Sequence, residues 1–470
     1  MLGLLISLFS QACGGSSDNA PSLQSIRNED SNSTDGNNND DTVLPPNKTY
    51  SIEPGTDMLP EAMSAVHEFP VGSLIDNEKR LLVWGSLSDI DSSNKDAAIW
   101  RYVYNEALGM FTLDPTFGTN GVIAWNNSAA SKNDIIFTVK LNGNQLLVGG
   151  YTKASDNYTD ILIGKFDENG QPVTSFSATG FRIIDLKYTY RFLIRAATFD
   201  NSNRLLVAGH FMGHGDHMSG TSFNAFIARA TQDGNIDTTF ANNGYFDYNG
   251  DLIDTNDDGV GDKQPKEYGT GIAVHLGAIY LTVLEDNGVF TRVLKLKETD
   301  GTILNTQDLP FKSYGVQIAG NHAYVYGYTC CAENDNALAK LSRSDLAIDN
   351  SYGSESGYGL YSMFLEGDRI NSRAVRVFPS YEDGQAYLVG YDFSNRPFNR
   401  TKLYKVKANG ELDTTWGDQG SISYFDITSA GSSYIKSMHI EESGLIIVGE
   451  TNHNIEGFEH NRIFIAYENR

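Results

Sequence analysis

A chain of 470 residues with 59 acidic and 35 basic side chains carries a formal net charge of −24, a field that repels phosphate backbones and argues against a nucleic-acid partner. Forty-six glycines against twelve prolines, with abundant Tyr and Phe, point to short strands joined by glycine turns. Three cysteines make no disulfide framework, and beyond the N-terminus no run of roughly 18 apolar residues exists to cross a membrane as a helix.

Residues 1–12, MLGLLISLFSQA, are a short apolar run ending on a small residue before Cys13, and GGSSDN follows. This arrangement resembles a bacterial lipoprotein signal. The resemblance implies that residues 1–12 are removed and that Cys13 carries acyl chains. It also implies export to the outer membrane, on its periplasmic or cell-surface side, with the N-terminal lipid as the membrane contact. Residues 13–47 continue as a tether rich in Ser, Asn, Asp and Gly. Such a segment cannot bury enough surface to offset chain entropy, and as a coil it spans roughly 30–35 Å.

From about Lys48 the sequence is periodic. A short apolar strand ending in glycine recurs as RLLVWG, QLLVGG, RLLVAG, HAYVYG, QAYLVG and GLIIVG, with AIYLTV as the remaining copy, at a mean spacing of about 61 residues. A period of that length marks a repeat architecture before any local assignment is made. Each unit reads as an entry strand, a polar turn, the glycine-ended strand, a loop and a third strand such as AIWRYVY or AFIARAT. An Asn-Gly or Asp-Gly turn comes next, then an LDxTF element and a fourth strand such as GFRIID. Four antiparallel strands per unit, seven times over, predict an all-β, seven-bladed β-propeller over residues 48–470. The seventh unit ends after its third strand, so the strand-like KTYSIEP at residues 48–54 is expected to pair with it and close the ring.

The LDxTF element stands as LDPTFGTNG (residues 113–121), IDTTFANNG (236–244) and LDTTWGDQG (412–420), with weaker copies VTSFSATG (173–180) and IDNSYGSESG (348–357). Asp114, Asp237 and Asp413 can accept bonds from amides two residues on and so fix a turn. Phe117, Phe240 and Trp416 supply a large apolar body to wedge between blades, and the final glycine permits a positive φ. A reaction needs one site rather than one copy per blade, so the repeated aspartate is read as structural. The pattern of glycine-ended strand followed by xxDGxLDTTFGxxG at this spacing resembles the delta-60 repeat family, a bacterial class predicted to fold as a β-propeller. The resemblance covers about residues 64–467, is weakest in the fourth and fifth units, and brings no catalytic residues with it.

An insertion at about residues 247–267 interrupts the pattern with DTNDDGVGD (254–262). Asp254, Asn256 and Asp258 fall at positions one, three and five of a calcium loop. Gly259 falls at the sharp turn, the Val260 carbonyl at seven and Asp262 at nine. The stretch resembles EF-hand-type loops and the acidic loops of thrombospondin type 3 repeats and dockerins, which implies a structural Ca²⁺. Position twelve is Pro265, so Glu267 or Asp251 is left to complete the shell.

A second interruption, GHFMGHGDHMSG (209–220), gathers His210, His214, Asp216 and His217. Three imidazoles and a carboxylate are a candidate transition-metal set, but the glycine-rich stretch does not fix their geometry and a polar loop is the competing reading. Tyr151, Tyr158, Tyr328, Tyr391 and Phe398 are candidates either for a ligand-binding face or for packing between blades. The adjacent Cys330 and Cys331 are read as thiols, because a disulfide between neighbours is strained. No Ser-His-Asp order, phosphate loop or carboxylate pair is legible. The reading is a non-enzymatic envelope module that binds a protein or glycan. The alternative is a polysaccharide hydrolase or lyase working at the mouth of the channel.

Overall fold

The glycine-ended strands are apolar along nearly their whole length because both of their faces are covered. In LLVWGSLSD, residues 81–89, every position but the last is buried. A computed structural model describes residues 66–468, apart from 90–93, 127–132, 156–157, 187–190, 213–222, 251–265, 286–289, 330–334, 355–356, 362–371, 381–383, 393–399, 425–432, 442–443 and 456–457.

The chain is a seven-bladed β-propeller of antiparallel sheets, and no helix occurs among the described residues. Blade one holds β1 (Val66–Ile75), β2 (Leu81–Asp89), β3 (Asp96–Asn105), β4 (Met110–Leu113) and β5 (Val122–Trp125). Blade two holds β6 (Asp134–Asn142), β7 (Gln145–Ser155), β8 (Tyr158–Asp167) and β9 (Phe181–Ile184). Blade three holds β10 (Arg191–Phe199), β11 (Leu205–Met212), β12 (Phe223–Ala230) and β13 (Tyr245–Tyr248). Blade four holds β14 (Glu267–His275), β15 (Ala278–Glu285), β16 (Thr291–Lys297) and β17 (Ile303–Leu309). Blade five holds β18 (Lys312–Ala319), β19 (His322–Tyr328), β20 (Asn336–Ser342) and β21 (Tyr358–Tyr361). Blade six holds β22 (Ser372–Pro379), β23 (Ala386–Asp392), β24 (Arg400–Val406) and β25 (Ser421–Tyr424). Blade seven contributes β26 (Ser433–Glu441), β27 (Gly444–Ile455) and β28 (Phe458–Glu468). In blade one the third strand pairs over Ala97–Trp100 with β5, the expected fourth strand, and over Tyr102–Asn105 with the short β4, an extra strand that the repeat pattern did not announce.

The first strands of the seven blades touch in cyclic order and line the axis. Between each pair of consecutive blades lies one apolar cluster, so the protein has seven interfacial cores rather than one central one. The seam between first and last blades is built like the others. Leu81, Val83 and Trp100 pack with Ile446, Val448 and Ile465. The Ile463 amide donates to Glu68 Oε2 at 3.1 Å and the Ser73 amide to Ser437 Oγ at 3.2 Å. The expected closing strand, residues 48–54, lies outside the described residues, as do Cys330 and Cys331.

The LDxTF element is a corner that staples one blade to the next. In blade three, Asp237 Oδ1 accepts from the amide and hydroxyl of Thr239 at 3.1 and 2.6 Å. Its Oδ2 accepts from Arg229 Nε at 2.8 Å. The Arg229 side chain is fully buried, donates to the Glu298 and Thr299 carbonyls of blade four, and lies over the Phe240 ring at 4.4 Å. Blade one repeats the arrangement with Arg101, Asp114, Thr116 and Phe117, reaching the Glu168 carbonyl of blade two. Lysines replace the arginine in blades five and six, where Lys340–Asp349 and Lys405–Asp413 stand at 3.5 and 3.3 Å. In the corners of blades one, two, three and five the aromatic ring rests on the turn glycine of the next blade, as Phe117 does on Gly170: a Cβ there would meet the ring at 2.9 Å. Gly121, with φ of 95°, enters the fourth strand in the left-handed region that the sequence called for. Blade four has no such corner, and β17 follows directly from its Asp300–Gly301 turn.

Burial acts to raise the Asp237 carboxyl, but the Thr239 bonds and the Arg229 charge outweigh it and hold it below its ordinary value. Removing the aspartate alone leaves a buried guanidinium without its counter-charge. Asp237→Ala is therefore expected to lose about 3–5 kcal/mol in denaturant unfolding, and Asp237→Leu/Arg229→Met to lose much less. Equal losses in the two variants would contradict the staple.

Candidate functional site: the central channel

Every innermost strand carries one β-bulge at the same place. The register shifts at Val71, Phe137, Arg195, Thr270, Tyr314, Val375 and Lys436, one residue in each of the seven blades. An extra residue in one strand of a pair bends that strand and re-aims its side chain. Here all seven extra residues line a cavity of about 900 Å³ on the axis of the ring. The glycine of the glycine-ended strand is what admits the bulge. Gly209 stands opposite Ile194, just before the shift, and a Cβ on it would overlap the Leu193 carbonyl oxygen. In blade four the glycine moves across the ladder: Val283 occupies the marker position and Gly269 faces it.

The described wall of the cavity is mostly small and aliphatic residues, with rings and basic groups set among them. Trp84, Phe137, Tyr268 and Tyr314 supply rings, and Arg195, Arg376 and Lys436 supply charge. Arg195 is exposed. Arg376 reaches from blade six to donate to the Val71 carbonyl of blade one at 3.4 Å. Lys436 pairs with Glu450 at 3.3 Å. The same glutamate faces Lys95, whose ammonium burial and the nearby Lys436 hold below its ordinary pKa.

His210 also lines this cavity. The structure packs it edge-on against Tyr268 and Phe223, with centroids 4.8 and 5.4 Å away. It is 3% exposed, and its Nδ1 has no partner among the described residues. Burial, helped by the Arg195 charge, lowers its pKa to about 4, so the ring is neutral at physiological pH. The remaining members of the candidate metal set, His214, Asp216 and His217, lie outside the described residues. So do Cys13 and the calcium-loop positions Asp254, Asn256, Asp258, Val260 and Asp262. Among the described residues no group of three potential metal ligands gathers.

Glu267 is described, and it marks the foot of the insertion. It is 1% exposed; one oxygen accepts the Gly250 amide, which ties the two ends of the insertion together, and the other has no partner among the described residues. A buried, half-satisfied carboxylate at this place is the kind of group that a cation would complete. Of the tyrosines expected on a binding face, Tyr391 is buried and donates to the Ile435 carbonyl of the next blade at 2.8 Å, and Tyr328 stacks on Tyr314 with centroids 5.4 Å apart. Tyr151 packs on Phe137 at 5.4 Å. These three belong to the packing between and within blades. Phe398 and the Tyr158 side chain lie outside the description.

The bulge residues went unread in the sequence. Their signal was the marker glycine itself, whose missing side chain makes room for the neighbouring strand to bulge.

A family model agrees on the β-propeller architecture. Described as a domain of unknown function (DUF5122) beta-propeller, it matches residues 201–240, which run from the turn before β11 into the corner of blade three. Together with the seven blades, this supports a β-propeller repeat protein. Among curated proteins nothing matches the chain. Among solved structures, a protein from Lactobacillus plantarum is 10% identical, with 83% of this chain and 97% of that one covered and a TM-score of 0.41. A polysaccharide lyase described as an ulvan lyase is 9% identical, with 86% and 94% covered and a TM-score of 0.47. An oligogalacturonate lyase in complex with manganese is 9% identical, with 86% and 90% covered and a TM-score of 0.42.

Burial raises the Glu267 pKa most; the Gly250 amide opposes it, Glu285 and Asp247 add to it, and the result is about 8 against an ordinary 4.5. Below the unfolded value both states hold the proton and the folded state keeps its full advantage. As pH rises from about 4.5 to about 8 the unfolded chain ionises first, so stability falls across that window. In chelator, melting temperature is expected to decline over this range and Glu267→Gln to flatten the decline. A profile identical in the two proteins would remove the assignment.

Proposed function

We propose that this chain is an exported, lipid-anchored β-propeller of the cell envelope, built of delta-60-type repeats, that binds a glycan or protein ligand in its central channel. One observation carries the binding reading: a cavity of about 900 Å³ on the axis, with rings and a few charged groups in its wall, to which all seven inner strands contribute. Concave, largely aromatic sites with sparse, fixed polar groups are how proteins hold small ligands or chain segments. The tether between Cys13 and the ring gives such a module reach from the membrane. Screening the chain from residue 48 onward on a glycan array and in pull-downs tests the reading. Binding that Trp84→Ala or Tyr268→Ala abolishes is expected, and no binding to any ligand class would sink it.

The Asp254–Asp262 loop is proposed as a structural Ca²⁺ site, with Glu267, five residues on from Asp262 in the chain, as a group of the propeller body able to complete it. The half-satisfied Glu267 carboxylate supports this. Calorimetry is expected to find one calcium site that Asp254→Ala/Asp258→Ala removes, and an unchanged titration would dismiss it. In cells, Cys13→Ala is expected to lose fatty-acid labelling; retained label would place the anchor elsewhere.

A second reading has one observation in its favour. His210 is neutral and packed edge-on against Tyr268 within the field of Arg195, which puts an imidazole of the kind that carries protons in the channel wall. A polysaccharide lyase or hydrolase acting at the channel would use it. Incubating bound glycans with the protein and looking for chain cleavage separates this from binding alone.

A further inference from the structure

Acidic residues outnumber basic ones 59 to 35 in this chain, yet the described wall of the central cavity carries Arg195, Arg376 and Lys436 and no Asp or Glu. The inversion is local. Arg195 makes no ion pair among the described residues, and the one hydrogen bond of Arg376 goes to a neutral carbonyl. Lys436 has a carboxylate partner, Glu450, but that same group also faces Lys95. The axis of a strongly negative protein therefore holds more positive charge than its own carboxylates neutralise.

The arrangement is costly unless something answers it. Like charges that face one cavity repel one another when no anion lies between them. The bulges that carry Arg195 and Lys436 hold them at the axis. Arg195 comes from blade three and Arg376 from blade six, on different sides of the ring of seven, so a ligand between them meets a guanidinium from each side. His210 cannot add to this charge, because burial keeps it neutral. Arg–carboxylate and Arg–sulfate contacts are charge-assisted and directional, stronger than neutral hydrogen bonds. Tyr268 and Tyr314 add rings to the same wall, the kind of surface against which the C–H side of a sugar ring can lie. A cavity of about 900 Å³ accommodates a few sugar units.

We propose that the ligand of the central channel is an anionic saccharide, bearing carboxylate or sulfate groups, with Arg195 and Arg376 as its charge-binding residues and Lys436 in support. This rests on the binding reading of the channel and names the ligand class for it. The outer surface repels polyanions at long range, so selection falls to short segments that enter the channel, where the local field reverses.

The test uses the full chain and four probes in calorimetric titration: a hyaluronan oligosaccharide for carboxylate, a dextran sulfate oligosaccharide for sulfate, uncharged dextran, and an oligoglutamate peptide. Binding of one or both charged saccharides, with none of dextran, is the expected result. It should weaken about tenfold or more in Arg195→Gln and again in Arg376→Gln, and fall as salt rises. Arg195 is exposed, so its variant is expected to melt like the parent, and Arg195→Lys should recover part of the affinity. Dextran binding as well as the charged sugars, or saccharide binding indifferent to both arginines, overturns the anionic assignment while leaving a glycan-binding channel in place. Preference for oligoglutamate overturns the saccharide assignment. Silence with all four probes and on a glycan array overturns this inference and the binding reading together.

Discussion

No blade of this protein can stand alone. A four-stranded antiparallel sheet with apolar residues on both faces has nowhere to bury them except against another sheet. In this chain each blade covers its two neighbours, and the seven apolar clusters all lie at interfaces. In the closed ring every blade face is covered, so the seam between the first and last blades is as much a part of the core as any other. That is why Leu81 and Trp100, near the start of the description, share a cluster with Ile446 and Ile465 near its end.

Two small devices make the repetition workable. The corner places a buried cation between its own aspartate and the backbone of the next blade, and lays an aromatic ring on the neighbour's turn glycine. The cation is satisfied only if both blades are in position, so the contact specifies their spacing as well as contributing to stability. The bulge does the corresponding work on the inside. It adds one residue to each inner strand at the level of the marker glycine and turns seven side chains toward the axis. The scaffold is regular, and the identity of those seven residues is free to vary. Val71, Thr270 and Val375 are small, Phe137 and Tyr314 add rings, and Arg195 and Lys436 give charge. Where the fold repeats, the residues are structural; where the repeat holds position but not identity, the chain has room for a binding site.

Electrostatics separate the outside from the axis. The formal charge of −24 keeps the surface solvated, whereas the described channel wall is basic. A third environment sits at the foot of the insertion, where Glu267 is buried with one oxygen unanswered. Each follows from what surrounds the group rather than from residue type alone, as His210 illustrates: burial against Tyr268 and Phe223 in the cavity wall keeps its ring neutral.

The sequence by itself determined the fold class, the number of blades, the strand order within each and the structural nature of the LDxTF corner. Periodicity carries that information directly: a strand buried on both faces must be apolar at nearly every position, and a turn that needs a positive φ must recruit glycine or its few substitutes. Tertiary structure alone decided which residues meet at the axis. Arg195, Arg376 and Lys436 are far apart in the chain, lie in strands that look alike, and converge only because seven inner strands close on one another. The bulge shifts each strand by one residue, and with a side-chain period of two such a shift changes which residues point inward. Local pattern fixed the parts and their order, while convergence on the channel needed the closed ring.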